Sequence, residues 1–279
     1  MAQQGPIATR REGAVAAPHA LKDKIVVVTG STRGIGKAMA VAFARQGSKL
    51  VISGRSTDDA PNRAGLPGTL ESVGAELRGL GAEVLAVPVD LSKAEDVSRL
   101  IDATQHEFGR CDVLVNNAAL SFLGEFLNVP SRRWVPVIEV NLLAAVRLIE
   151  AFLPGMVERA DGKIINFSSG AADTRRRQSD GDEVQQLPYS ATKAAVEALT
   201  FGLAHQMEGS GVSVNCVRPT VATEVVTFHA PHLLEDSSGR WASPEEFAQA
   251  MTWLAQQPAA YTGHLLDNDD LKALGALRA

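Results

Sequence analysis

Tyr189 and Lys193 stand four residues apart in LPYSATKAAVEALTFGLAHQM, where apolar residues recur at helical spacing. Residues so spaced share one face of an α-helix, so the phenol and the ammonium can approach each other. An isolated phenol titrates near ~10, too high for a base at neutral pH, and an adjacent cation stabilises the phenolate and lowers that value. The pair reads as an acid/base unit, the plainer alternative being two amphipathic side chains with their polar ends in solvent. Upstream, VVTGSTRGIGKAMAVAFARQG places Gly30, Gly34 and Gly36 between a β-branched run and an amphipathic one. Their spacing is GxxxGxG and not GxGxxG, but glycines here too permit a tight turn and let backbone N–H groups and a helix N-terminus meet a pyrophosphate. Ser31, Thr32, Arg33 and Ile35 complete the turn as candidate cofactor contacts.

The end of the next β-branched run bears on which nucleotide would bind. An NAD site usually carries a carboxylate there to hold the ribose 2′-hydroxyl. KLVISGRS has Gly54 in that place, followed by Arg55 and Ser56, and Arg33 offers a second guanidinium from the glycine turn. Two arginines and no carboxylate suit a 2′-phosphate, because a planar fork matches phosphate geometry, and so favour NADP(H). The alternative is a pair of solvated surface arginines. Asp90 and Leu91, in VPVDLSK, are candidates for the adenine end, although Asp90 can equally cap the following helix.

These groups need a frame. The runs 24–30, 49–54, 83–90, 112–118, 163–169 and 212–217 are continuously apolar or β-branched, as in strands covered on both faces. Helix-length amphipathic segments at 34–46, 69–80, 93–108, 131–156, 188–208 and 244–256 separate them. The pattern predicts a single-domain α/β fold, a Rossmann-type doubly wound parallel sheet with helices on both faces and a ligand beyond the carboxyl ends of the strands. The domain spans 21–279 after a tail at 1–20, with substrate-loop segments at 170–188 and 224–240. Of 279 residues 45% are hydrophobic and 21% charged, and the net charge is −5 with Lys and Arg scattered, which disfavours nucleic acid and anionic membranes as partners. Cys111 and Cys216 form no CxxC pattern, and no metal is expected. No run of 18 apolar residues and no secretory leader is apparent, so a soluble cytoplasmic protein is expected.

In combination, TGSTRGIG, NNAA at 116–119, Asn141 in VIEVNLLAA, the serines of KIINFSSG and YSATK resemble the short-chain dehydrogenase/reductase family in order and rough spacing, over about Leu21 to Leu271. The resemblance implies that Tyr189 is the acid/base for hydride transfer between NADP(H) and a carbonyl or alcohol. Lys193 would lower the phenol pKa and hold the nicotinamide ribose. Ser169 would polarise the substrate oxygen, with Ser168 the lesser alternative, and Asn141 would hold a water in a proton relay. Asn117, Ala118 and Ala119 would wall the cofactor pocket, and Pro219, Thr220, Val221 and Thr223 would meet the nicotinamide end. Taken singly, Tyr189 as a core-edge residue, Asn141 as a helix amide and Ser169 as a turn former are all plain structural readings.

The sequence departs from the family in NNAA for NNAG, in VRPTVAT where Pro-Gly is frequent, and in a longer stretch between Ser169 and Tyr189. That stretch carries Arg175–Arg177, a possible handle for an acidic substrate or a solvated run paired with Asp180, Asp182 and Glu183. The insertion STDDAPNRAGLPGTLESV and the tail YTGHLLDNDDLKALG more weakly resemble the hydroxysteroid-dehydrogenase-like and citronellol-dehydrogenase-like branch, whose members tend to handle hydrophobic alcohols or carbonyls. After Thr223, Val225, Val226, Phe228, Leu233 and Leu234 can form an apolar lid, whereas His229 and His232 alone make no zinc site. The expected enzyme is an NADP(H)-dependent carbonyl reductase or alcohol dehydrogenase on a hydrophobic substrate, and a homodimer or homotetramer. The alternatives are a catalytically weak NADP(H) sensor or scaffold and an imine or activated-alkene reductase.

Overall fold

The computed structural model describes residues 20–62, 65–122, 124–173, 186–229, 234 and 241–278. Each of the six apolar runs forms a strand: β1 Ile25–Thr29, β2 Lys49–Gly54, β3 Val84–Pro88, β4 Val113–Asn116, β5 Gly162–Phe167 and β6 Val212–Arg218. A seventh, β7 Leu265–Asp267, was not expected; at three residues it is too short to show a period. The strands pair in parallel in the order β3-β2-β1-β4-β5-β6-β7. The order reverses between β1 and β4, which opens a crevice at their carboxyl ends, beside Gly30 and Asn117.

Helices follow the strands: α1 Gly34–Arg45, α2 Leu70–Gly79, α3 Ala94–Phe108, α4 Ser131–Ile138, α5 Ala144–Glu158, α6 Leu187–Gln206, α7 Glu224–His229, α8 Pro244–Gln256 and α9 Asn268–Ala273. Successive residues of β1 serve opposite faces. Val26 and Val28 join Leu50 and Ile52 against Met39 and Phe43 of α1 and Phe247 and Met251 of α8. Val27 joins Val51 and Leu114 against Leu100 of α3 and Leu148, Phe152 and Met156 of α5. With both faces covered, Ile25 to Val28 of β1 are all apolar, and each buried Val or Leu contributes about 1.5–3 kcal/mol.

The 131–156 segment is helical, as its period predicts, but it is not one regular α-helix. Pro136 lacks an N–H for the ladder, and Glu139–Leu143 then winds as a π-turn between α4 and α5. Such a turn marks a place where a side chain takes precedence over regular helix geometry. By length and composition Ser131–Glu158 is apolar enough to cross a membrane. Here it packs on the sheet through Ala144, Leu148, Phe152 and Met156, and carries the Arg147–Glu139 ion pair at 2.7 Å.

Candidate active site

The glycine turn is shaped by close approach. Gly30 has φ +69°, and a Cβ on Gly36 would lie 2.1 Å from the Gly30 carbonyl oxygen, so α1 can start against the turn only with glycine there. Asn117 Nδ2 donates to the carbonyls of Thr29 at 2.8 Å and Gly30 at 3.3 Å, and Thr29 Oγ1 accepts from the N–H groups of Asn117 and Ala118. The tips of β1 and β4 are thus one rigid unit.

A cleft of about 660 Å³ runs from this turn to α6. Its lining includes Gly30, Thr32, Arg33, Gly34, Ile35, Gly36, Arg55, Ser56, Asp90, Leu91, Asn117, Ala118, Ala119, Tyr189, Lys193, Pro219 and Thr223, all anticipated from sequence. Three anticipated contacts are elsewhere. Ser31 is completely buried beneath the turn, where its hydroxyl donates to Val28 O at 2.7 Å and accepts from Ser53 N, bracing β1 against β2. Thr220 is tied to Asn268, which donates to its carbonyl and accepts from its N–H, and Val221 is buried in a bridge to Ala242. Neither lines the cleft. Arg175–Arg177, Asp180, Asp182, Glu183, His232 and Leu233 lie outside the described residues.

At the α6 end, Lys193 is only 2% exposed, and its Nζ donates to Phe167 O at 2.6 Å. The ammonium sits 5.4 Å from the centroid of the Tyr189 ring, the neighbourhood their spacing implies. Loss of hydration pulls the Lys193 pKa down to about 8, with Cys216 acting weakly in the opposite sense. An amine with that value changes protonation near neutrality and can pass a proton on.

The two serines divide. Ser168 lines the cleft wall, but its hydroxyl turns inward and donates to Glu197 Oε1 at 2.5 Å. Ser169 Oγ accepts from Ala171 N at 3.2 Å, capping a short 3-10 turn, and its proton makes no hydrogen bond among the described residues. Ser169, which is not among the residues lining the cleft, therefore keeps an uncommitted donor, and Ser168, which lines its wall, does not. Glu197 itself is gripped by Arg218 through two bonds of 2.6 and 2.7 Å, which raise the Arg218 pKa. Sequence reasoning missed this triad. Its one signal was an acidic residue four positions after Lys193, on the buried face of α6.

Asn141 sits in the π-turn, where Nδ2 donates to Leu120 O and Thr192 Oγ1, both at 3.0 Å, and Oδ1 accepts from Leu120 N at 2.8 Å. Both amide protons are engaged, so the side chain acts first as a clamp joining the chain beyond β4 to α6. Asn141→Ala should strand the Leu120 backbone and destabilise the protein by about 1–3 kcal/mol. A urea midpoint equal to the wild type's would refute the clamp. Leu120, Phe122, Pro136 and Val140, none anticipated as site residues, complete the cleft near Tyr189.

The short chain dehydrogenase family model matches residues 24–232. This chain belongs to that family. The chain is 34% identical over 244 residues to a 3-oxoacyl-[acyl-carrier-protein] reductase of Synechocystis sp., covering 86% of this chain and 92% of the relative. Among solved structures it resembles L-sorbose reductase of Gluconobacter frateurii complexed with NADPH and L-sorbose, at 28% identity and TM-score 0.76 over 90% of this chain and 97% of that one. A putative NAD(P)-dependent gluconate 5-dehydrogenase of Beutenbergia cavernae with bound NADP superposes at 30% identity and TM-score 0.73, with the same two coverages of 90% and 97%.

Proposed function

We propose that this dehydrogenase binds NADP(H) and transfers a hydride between it and a hydrophobic ketone, aldehyde or secondary alcohol, with Tyr189 as the acid/base. The observation that carries the reading is Lys193, buried beside the Tyr189 ring at the end of a cleft that begins at the glycine turn. The cradle fits a dinucleotide: Gly36 leaves no room for a side chain, and Arg33, Arg55 and Ser56 line the end where a 2′-phosphate would lie. Bound NADPH would supply the hydride. Tyr189 would give its proton to the carbonyl oxygen, Ser169 would donate to the same oxygen, and Lys193 would hold the phenolate that remains.

Two solved relatives described with NADPH or NADP support the cofactor assignment. The wild type should use NADPH more efficiently than NADH, and Arg55→Asp should reverse much of that preference by repelling the phosphate. Equal catalytic efficiency with both cofactors would sink the argument. For the substrate, Leu120, Phe122, Pro136 and Val140 favour an apolar molecule. The sugar ligand of the sorbose reductase favours a second reading, a polyhydroxy ketone. NADPH consumption measured on hydrophobic ketones and on ketoses decides between them, and faster turnover of ketoses would overturn the apolar reading.

We also propose that the protein is cytoplasmic and forms a homodimer or homotetramer, the assembly being supported by Phe126, Leu127 and Val135 at 63%, 92% and 58% exposure in and before α4. Light scattering should give a multiple of 29.5 kDa, and a monomer mass would refute the assembly.

A further inference from the structure

We propose that the insertion between β2 and α2 is a positioning device for a cofactor 2′-phosphate, acting through Arg33. The inference rests on the reading of Arg33 as a phosphate ligand. A long side chain surrenders rotamer freedom when it binds, and one already fixed in the bound geometry binds more tightly. Arg33 is fixed. Its Nε donates to Pro67 O at 3.2 Å, and its Nη2 donates to Ser56 Oγ at 2.8 Å and to Gly68 O at 3.4 Å. One edge of the guanidinium is thereby tied down, while Nη1 makes no hydrogen bond among the described residues and Arg33 lines the cleft.

The groups that hold Arg33 are two carbonyls and a hydroxyl, all neutral, so they orient the guanidinium without cancelling its charge. A carboxylate in their place would hold it as well and repel a phosphate. Burial lowers the Arg33 pKa, Glu224 acts on it coulombically from the start of α7 in the opposite sense, and Arg55 opposes Glu224.

The carbonyls are brought to Arg33 by Gly68. This residue has φ +95°, and a Cβ on it would lie 2.0 Å from the carbonyl oxygen of Thr32, the residue before Arg33. No other residue allows the insertion to pass so close to the glycine turn. The insertion is itself braced: Thr69 Oγ1 donates to Asp58 Oδ1 at 2.6 Å, Asp58 N donates to Glu71 Oε2 at 3.0 Å, and Leu70 N donates to Ser56 O at 2.9 Å. Thr69 and Ser72 form a capping box that fixes the start of α2 immediately after Gly68.

The test uses two fragments, 2′,5′-ADP and 5′-AMP, whose binding to the full chain is measured by calorimetry. The wild type should prefer 2′,5′-ADP, and Gly68→Ala should cut that preference by up to about tenfold, the scale of one immobilised side chain, with 5′-AMP affinity unchanged. KM for NADPH should rise in parallel at constant kcat. In an Arg33→Ala background Gly68→Ala should change the preference no further. Equal losses for both fragments, or an additional loss in that background, would mean that Gly68 serves only the fold, and would overturn the inference. If Arg33→Ala leaves the preference intact, the phosphate reading itself fails and takes the inference with it. Should Gly68→Ala not fold, Arg33→Lys keeps the charge but cannot span Ser56 and both carbonyls; a wild-type preference in that variant would also overturn the proposal.

Discussion

Tyr189→Phe should lower kcat by about 10²–10⁴-fold, the range for a positioned acid/base, while NADPH affinity stays at the wild-type value. The substitution removes one oxygen and keeps the ring that packs 5.4 Å from Lys193 Nζ, so the cleft and its contacts persist. Ser169 can still polarise a carbonyl, but an aliphatic hydroxyl is a far weaker acid than a phenol. Lys193 cannot substitute directly, because it is buried and its Nζ is engaged by Phe167 O. Steady-state kinetics together with a fluorescence titration of NADPH separate the two effects. A variant that kept more than about a tenth of the wild-type rate would show that the proton comes from another group.

The features legible in the sequence are those fixed by local chemistry. Gly36 had to be glycine because a carbonyl lies where its Cβ would be. Ile25 to Val28 of β1 had to be apolar because helices cover both faces of the sheet. That Tyr189 and Lys193 share one helix face follows from the helical period, and their joint role from the family resemblance. Features that depend on which strands become neighbours were not legible. Glu197 and Arg218 are joined because α6 packs beside β6, and Ser168 reaches them because β5 pairs with β6. Ser31 looks like its neighbours in the turn, yet its hydroxyl faces β2; only the β1–β2 pairing distinguishes it from Thr32. The π-turn at Asn141 leaves no periodic trace, since it arises from the three hydrogen bonds its amide makes to Leu120 and Thr192. Pro67 and Gly68 read only as part of an insertion resembling a branch of the family, and their contact with Arg33 appears only in the fold.

Lys193→Met should make the protein more stable at pH 7 and nearly inactive. The ammonium is 2% exposed and, among the described residues, forms no ion pair with a carboxylate, which is why its pKa falls from 10.5 to about 8. At about 1.36 kcal/mol per unit, keeping it charged at pH 7 costs the folded state about 3 kcal/mol. Methionine fills similar volume without charge but leaves the Phe167 carbonyl without its donor, a loss of about 1–3 kcal/mol that offsets part of the gain. The pH dependence separates charge from packing. Between about pH 8 and 10.5 the unfolded wild type holds a proton on Lys193 that the folded state has released, so wild-type stability rises with pH through that window. The methionine variant lacks this term. Its advantage over the wild type should therefore be largest below about pH 8 and shrink toward pH 10.5, in urea denaturation at several pH values. An advantage independent of pH would mean that Lys193 keeps its ordinary pKa in the folded state, its charge shared with a partner, and the account of an unpaired buried cation poised beside Tyr189 would fail. Turnover should fall by about 10²–10⁴-fold, because the phenolate loses the charge that stabilises it and the proton loses its route to Tyr189. A residue that destabilises the fold and drives the reaction through the same buried charge would be retained for function alone.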